Sequence, residues 1–411
     1  MDYKSRLSAI NASLNHGFRN NLSYTYTMVK NNISNGVLFV FHCRQDAGYA
    51  IDSLEIVFSV LGRLLAGDNV FFSYTELIDN KDSQVGLPYI KDVIMFNPAT
   101  ADKREIRNLC EYIKQNSIDL IVGFDQPPGR RYYAYVRKAG VKRIVSYWGA
   151  PMSSLNKGLK LFLKKMEMLL RIYSPDLYIF ESEAMKKTAV YGRGISASKA
   201  KVVNLGVDTE KFYPMMTDYP YRIFKIPKKR KIIIYSGHME ERKGIDVIMK
   251  SAIYLSEKLG RSDFHFLLLG NKPGEEKKYL DMISHTQADN FVTFGGYVSN
   301  IELIFPGCYM GVIASKGWDS FTMSSVEMAA SGLPIIVSNL QGLVETVEEG
   351  VTGYIFKSKN YIDLSHKIQI LLDNYKLRDK MSKSAVFRVS NKFSRNRQIE
   401  NLCTVISDQY G

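Results

Sequence analysis

Cysteine is scarce in this chain, with four in 411 residues: Cys43, Cys110, Cys308 and Cys403. They show neither metal-ligand spacing nor a disulfide framework, which excludes a cross-linked secreted scaffold and points to a reducing cytosol. Long apolar runs are also missing. No stretch reaches the roughly 20 residues that a spanning helix needs. The polar start MDYKSRLSAINASLNHG has no signal-peptide centre, so a cytoplasmic protein with at most peripheral membrane contact is expected. Acidic residues are the third shortage, 41 against 55 Lys and Arg, for a net charge of +14. From Arg130 to Arg171 the shortage is concentrated: eleven basic residues face one acid, Glu167. No aromatic-interleaved motif accompanies that charge, so nucleic acid is not an expected partner.

Within the basic window, LNKGLKLFLKKMEMLLRI places Leu155, Leu159, Phe162, Met166 and Leu169 at three- and four-residue steps. Lys157, Lys160, Lys164 and Lys165 fall largely between them. Two readings fit this pattern. One is a membrane-facing amphipathic helix on an anionic surface; the other is a surface helix whose apolar stripe packs on a sheet.

The length suggests two domains. After a polar preamble of about thirty-five residues, apolar runs alternate with helical stretches: GVLFVFH (36–42), NVFFSY (69–74), IDLIVG (118–123), VKRIVSY (141–147) and DLYIF (176–180). Gly206 and Pro214 interrupt the series, which restarts with KIIIYSG (231–237), FHFLLLG (264–270), FVTFGG (291–296), YMGVIA (309–314), PIIVS (334–338) and GYIF (353–356). Such alternation predicts two α/β units with mainly parallel sheets covered on both faces. Boundaries are expected at 1–205, 206–390 and a terminal helix over 391–411.

The stretch SKGWDSFTMSSVEMAASGLPIIVS sits between two of these strands. Ligands of such sheets bind at the carboxyl ends of strands, where a loop and a helix N-terminus supply amides for a phosphate. Asp319 and Glu327 stand there with seven residues between them. Glu327 suits a pair of sugar hydroxyls; equally, Ser324-x-x-Glu327 is a capping box that only starts the helix.

This stretch, with Gly332-Leu333-Pro334 after it, resembles the signature of family-4 retaining glycosyltransferases of the GT-B fold, in which Asp319 replaces the first of two Glu. VVNLGVDTEKFYP and KIIIYSGHMEERKGIDV resemble the family's interdomain segment and the first strand-turn-helix of its donor domain. The resemblance implies two Rossmann-like domains facing a cleft, acceptor-binding before donor-binding, with the last helix crossing back to the first domain. It implies Lys243, Asp319 and Glu327 as catalytic. The donor would be contacted by Gly48, Gly237, His238, Arg242 and Lys243, by the Ser320-Phe321-Thr322-Met323 loop, and by Glu327. Of these, Lys243 would meet the diphosphate, Glu327 the ribose and Asp319 the donor hexose.

His238 stands where the family has Arg, and a histidine bonding locally is the other reading. Gly48 fits a close backbone approach or a simple turn. Trp148, before Gly149, occupies the place of a family histidine. It cannot be a base, and either stacks on a sugar or anchors the core. His42 and Asp125, at strand ends, are acceptor-orienting candidates. No Cys/His cluster or Asp-x-Asp suggests a metal. No cofactor is expected beyond a UDP- or GDP-linked sugar co-substrate.

The function expected is retaining, metal-independent transfer of a hexosyl or N-acetylhexosaminyl group to a glycan or polyprenyl-linked acceptor. The setting would be bacterial surface polysaccharide assembly on the inner face of the membrane. The alternatives are a non-catalytic GT-B binding subunit and a soluble GT-B epimerase or disaccharide synthase.

Overall fold

The computed structural model describes residues 33–78, 87–170 and 173–408. The polar preamble up to residue 32, and Arg171 at the end of the basic window, lie outside them. The chain divides into two compact units, one of residues 1–204 with 396–411, the other Leu205–Arg395.

In the first unit β1 (Val37–Val40), β2 (Val70–Tyr74), β3 (Asp92–Met95), β4 (Leu120–Phe124), β5 (Arg143–Trp148), β6 (Leu177–Phe180) and β7 (Ala200–Val202) form a parallel sheet in the order 3-2-1-4-5-6-7. Its central strands are buried along nearly their whole length, and this is why they read as unbroken apolar runs rather than alternating ones. The helix Tyr49–Ala66 packs on one face together with Ile399, Leu402, Cys403 and Ile406 of the terminal helix Arg395–Ser407. Ile106, Leu109 and Ile113 of Lys103–Gln115 and Val136 of Tyr132–Ala139 cover the other face. Strands β3 and β7 are absent from the sequence-based reading. Both are short edge strands and partly exposed.

The second unit repeats the plan with β8 (Lys231–Ser236), β9 (Phe264–Leu269), β10 (Val292–Phe294), β11 (Met310–Ile313), β12 (Ile335–Ser338) and β13 (Gly353–Phe356), ordered 10-9-8-11-12-13. Strand order reverses between β1 and β4 in the first unit, and between β8 and β11 in the second. These switch points leave a crevice outside the strands' carboxyl ends, where doubly wound folds take ligands.

Candidate active site

Two loops meet at the switch point of the second unit, one leaving β8 and one leaving β11. Gly244 closes the first at φ +72°, and a Cβ there would lie 1.9 Å from the Ala314 carbonyl oxygen, so only glycine lets the turn sit on the second loop. The Arg242 carbonyl accepts from the amides of Lys316 (2.6 Å) and Gly317 (3.2 Å). The Arg242 guanidinium donates to the Trp318 carbonyl at 2.9 Å and to Glu240 at 2.6 Å. Lys316 in turn pairs with Asp246 at 2.8 Å. The two loops are thereby fastened together by backbone and by charge.

Fastening them brings Lys243 onto Asp319. The ammonium donates to Oδ1 at 3.1 Å and to Oδ2 at 2.9 Å, and both side chains are largely buried. Ser315 donates its hydroxyl proton to Asp319 Oδ2 at 2.6 Å, and Arg242 Nη1 lies 3.8 Å from Oδ1. Ser315, two residues after β11, has no place in the sequence-based reading; its position at a strand's carboxyl end was the available signal.

The helix that follows is Met323–Ala330, with Thr322 as its N-cap and no side-chain cap bond. Ser324 is therefore the second residue of the helix, and the capping box built on Ser324 and Glu327 is not the geometry found. Glu327 is buried one turn in. Ser320 precedes a buried Phe321, whose ring meets Phe393 edge-on at 5.0 Å and anchors the loop in the core. Its side chain is structural, which leaves the loop's backbone as the surface for a ligand. Gly237 follows β8, and exposed His238 accepts a bond from the Tyr235 hydroxyl through its carbonyl, at 2.7 Å.

The first unit's candidates gather at its own switch point. The register Val40↔Gly123 between β1 and β4, continued two residues, sets His42 beside Asp125. His42 Nδ1 lies 3.1 Å from the Phe124 carbonyl. A carbonyl only accepts, so Nδ1 carries the proton. Asp125, at φ +49°, accepts from the Gly149 amide at 2.9 Å. Gly48 caps the helix Tyr49–Ala66 at φ +110° with open space where a Cβ would stand.

Trp148 is a correction: it is buried (7% exposed), and its indole N–H donates inward to Ser146 Oγ at 2.7 Å. It anchors the sheet and offers no face to a sugar. Behind it lies Glu181, which the sequence-based reading missed although it directly follows β6. Burial, and secondarily the Asp125 charge, push its carboxyl up to about 8. The Tyr147 hydroxyl donates to it at 3.1 Å. Burial likewise raises Glu55 to about 7 and holds Asp125 above the ordinary carboxylate range.

The basic helix is Gly158–Leu170, and no residue in it is buried. Leu159, Phe162, Leu163, Leu169 and Leu170 are 57–77% exposed among the described residues. The expectation of an apolar stripe packed on a sheet is thus overturned. Lys157, Lys160 and Lys165 are exposed. Lys164 differs from the sequence-based reading, because it pairs with Glu167 at 2.9 Å, and Glu167 also holds Arg193. That network, with Gly194 against the Lys164 backbone, seats the helix on the segment 188–194. Among the described residues no helix is long and apolar enough to cross a membrane.

Two doubly wound parallel sheets, each with its functional candidates at a switch point, define the GT-B fold of glycosyltransferases. Residues 221–386 match the family model of Glycosyl transferases group 1, and this part of the chain is a domain of that family. The solved structures similar to the chain include a glycosyltransferase from Rickettsia africae (TM-score 0.76, 18% identity, covering 91% of this chain and 98% of that one). Another is Anabaena HepE in complex with UDP (TM-score 0.70, 16% identity, 91% and 100% covered).

Among curated relatives, the Campylobacter jejuni N,N'-diacetylbacillosaminyl-diphospho-undecaprenol alpha-1,3-N-acetylgalactosaminyltransferase is 28% identical over 47% of this chain and 50% of its own length. The Staphylococcus aureus capsular polysaccharide biosynthesis glycosyltransferase CapM is 26% identical over 58% and 63%. The chain spans about half to three-fifths of the length of the curated relatives it matches.

Proposed function

We propose that this protein is a glycosyltransferase that moves a hexosyl or N-acetylhexosaminyl group from a nucleotide sugar to a glycan or lipid-linked acceptor, with retention and without a metal. The observation that carries the reading is Lys243, held beside an uncapped helix N-terminus at the switch point of the family-matched segment. A diphosphate leaving group gains charge as its bond to the sugar breaks, and a fixed cation and free amides stabilise that charge as it forms. In this scheme the acceptor oxygen bonds to the anomeric carbon, the bond to the phosphate breaks with its electron pair, and the phosphate takes the acceptor's proton. Glu327 holds the ribose diol, and His42 and Asp125 orient the acceptor. The UDP complex of HepE and the activities of the Campylobacter jejuni and Staphylococcus aureus relatives support a nucleotide-sugar donor and an acceptor in polysaccharide assembly.

The test is release of nucleoside diphosphate from UDP-glucose, UDP-N-acetylglucosamine and GDP-mannose, with and without bacterial membranes as acceptor source. Lys243→Ala should cost on the order of 3 kcal/mol of transition-state stabilisation, about a hundredfold in turnover, with native circular dichroism. Turnover near that of the unmutated chain would remove Lys243 from the chemistry.

The same reading sets the protein on the cytoplasmic face of an anionic membrane, supported by the exposed apolar side chains of Gly158–Leu170 among exposed lysines. Phosphatidylglycerol vesicles should retain it at low salt and phosphatidylcholine vesicles should not. Lys157→Gln, Lys160→Gln and Lys165→Gln together should release it, with Lys164 left in its ion pair. Retention of the triple variant would make the helix an ordinary surface element.

A further inference from the structure

Asp319 stands where the family resemblance implies a contact with the donor hexose, yet both of its oxygens are already engaged. Lys243 spans them at 3.1 and 2.9 Å, Ser315 adds a bond of 2.6 Å to Oδ2, and Arg242 approaches Oδ1. The Asp319 amide donates to Gln341 Oε1 at 3.4 Å, which holds the residue from a further loop. Aspartate is one methylene shorter than glutamate, and its carboxylate stays on the cations. Lys243 is largely withdrawn from water, and a buried cation without a counter-ion is costly.

We propose that Asp319 is a positioning residue that holds Lys243 as a surrogate phosphate, and that a donor's diphosphate takes the lysine by displacing it. The inference rests on the nucleotide-sugar reading for its biological ligand, although the anion exchange itself does not. While the site waits, the pair keeps the ammonium aimed and compensated. When a diphosphate arrives, one anion replaces another, so the lysine is never left unpaired. Asp319 is also a fixed negative charge that opposes the incoming anion, and it thereby sets the site's affinity.

Calorimetry with inorganic pyrophosphate, at fixed ionic strength, tests this. Asp319→Asn removes the competing charge and should bind pyrophosphate at least tenfold more tightly than the unmutated chain. The gain should vanish in the double variant Asp319→Asn with Lys243→Ala, and Asp319→Glu, which keeps the charge, should stay near the starting affinity. Equal or weaker binding by Asp319→Asn overturns the proposal. Should that variant fail to fold, the unmutated chain still decides: the Lys243 ammonium resonance should move on saturation with pyrophosphate, and an unmoved resonance overturns the proposal as well. Parallel titrations with UDP and GDP separate the two ideas. If pyrophosphate behaves as stated and neither nucleotide binds, the nucleotide reading falls and the counter-ion role stands.

Discussion

The two units share a plan but solve the same electrostatic problem in opposite ways at their strand ends. In the second unit the cations Arg242, Lys243 and Lys316 are each matched by a carboxylate, through Glu240, Asp319 and Asp246. In the first unit Glu55, Asp125 and Glu181 form no ion pair with Lys or Arg among the described residues. Their hydrogen-bond donors are the Tyr74 hydroxyl for Glu55, the Gly149 and Ala150 amides for Asp125, and the Tyr147 hydroxyl for Glu181. A carboxyl buried among neutral donors rises in pKa and gives up its charge. One end is therefore a fixed array of paired charges suited to exchanging anions, and the other is a set of acids whose charge depends on pH.

The largest effect expected from breaking this contrast comes from the fastening of the second unit's loops. Gly244→Ala puts a methyl against the Ala314 carbonyl at a positive φ. It should destabilise that unit by on the order of 3 kcal/mol. The two tryptophans report separately, Trp148 from the first unit and Trp318 from the second. Urea unfolding followed by each alone, after replacing the other with Phe, should show the loss only at Trp318. An equal loss at both would mean that the units do not unfold independently.

The next effect is the pH dependence of the first unit. The folded pKa of Glu181, about 8, and that of Glu55, about 7, lie above their ordinary 4.5. Between those limits the folded state binds more protons than the unfolded one. The stability these groups contribute is therefore full below about pH 4.5 and falls as pH rises through 7 to 8. The slope is on the order of 1 kcal/mol per pH unit for each group. Unfolding seen by Trp148 at pH 5, 6 and 7 should weaken steadily, and Glu181→Gln should flatten the trend. Identical stability across that range would refute the picture of neutral buried acids.

The smallest effect is the most local. Glu327→Gln keeps the size of the side chain and removes its charge, so binding of UDP or GDP should weaken by about 1 kcal/mol if the carboxylate accepts from a ribose diol. Unchanged affinity, measured by calorimetry, would leave Glu327 to the packing of its helix.

Much of this was legible in the residues because it is local. A strand buried on both faces is apolar at most positions, so the central strands of both sheets stood out. A glycine after a charged turn, and small residues before a helix, marked the loops at the strand ends. The first sheet's edge strands β3 and β7 escaped, both short and partly exposed, whereas FVTFGG and GYIF at the edges of the second sheet stood out. Periodicity located the helix Gly158–Leu170 but could not say whether a sheet lay beneath its apolar residues, since a packed stripe and a bare one have the same spacing. Trp148 was ambiguous for a related reason, because an aromatic ring suits a core and a sugar face equally until its neighbours are known; Phe321, expected in a donor-contacting loop, has its ring in the core.

The sequence by itself determined the doubly wound class, the break near residue 205 and the identity of the loops that bear the candidates, because these follow from chain geometry and the burial of consecutive side chains. Only the tertiary structure decided that Asp319 is spent on Lys243, 76 residues away. The same is true of the acids Glu55, Asp125 and Glu181, without an ion pair to Lys or Arg among the described residues, which come from different elements of the first unit and converge at its strand ends. Charge and hydrogen-bonding capacity are written in each residue. Which partner satisfies them depends on which strands lie side by side, and that is settled only when distant segments pack and exclude water.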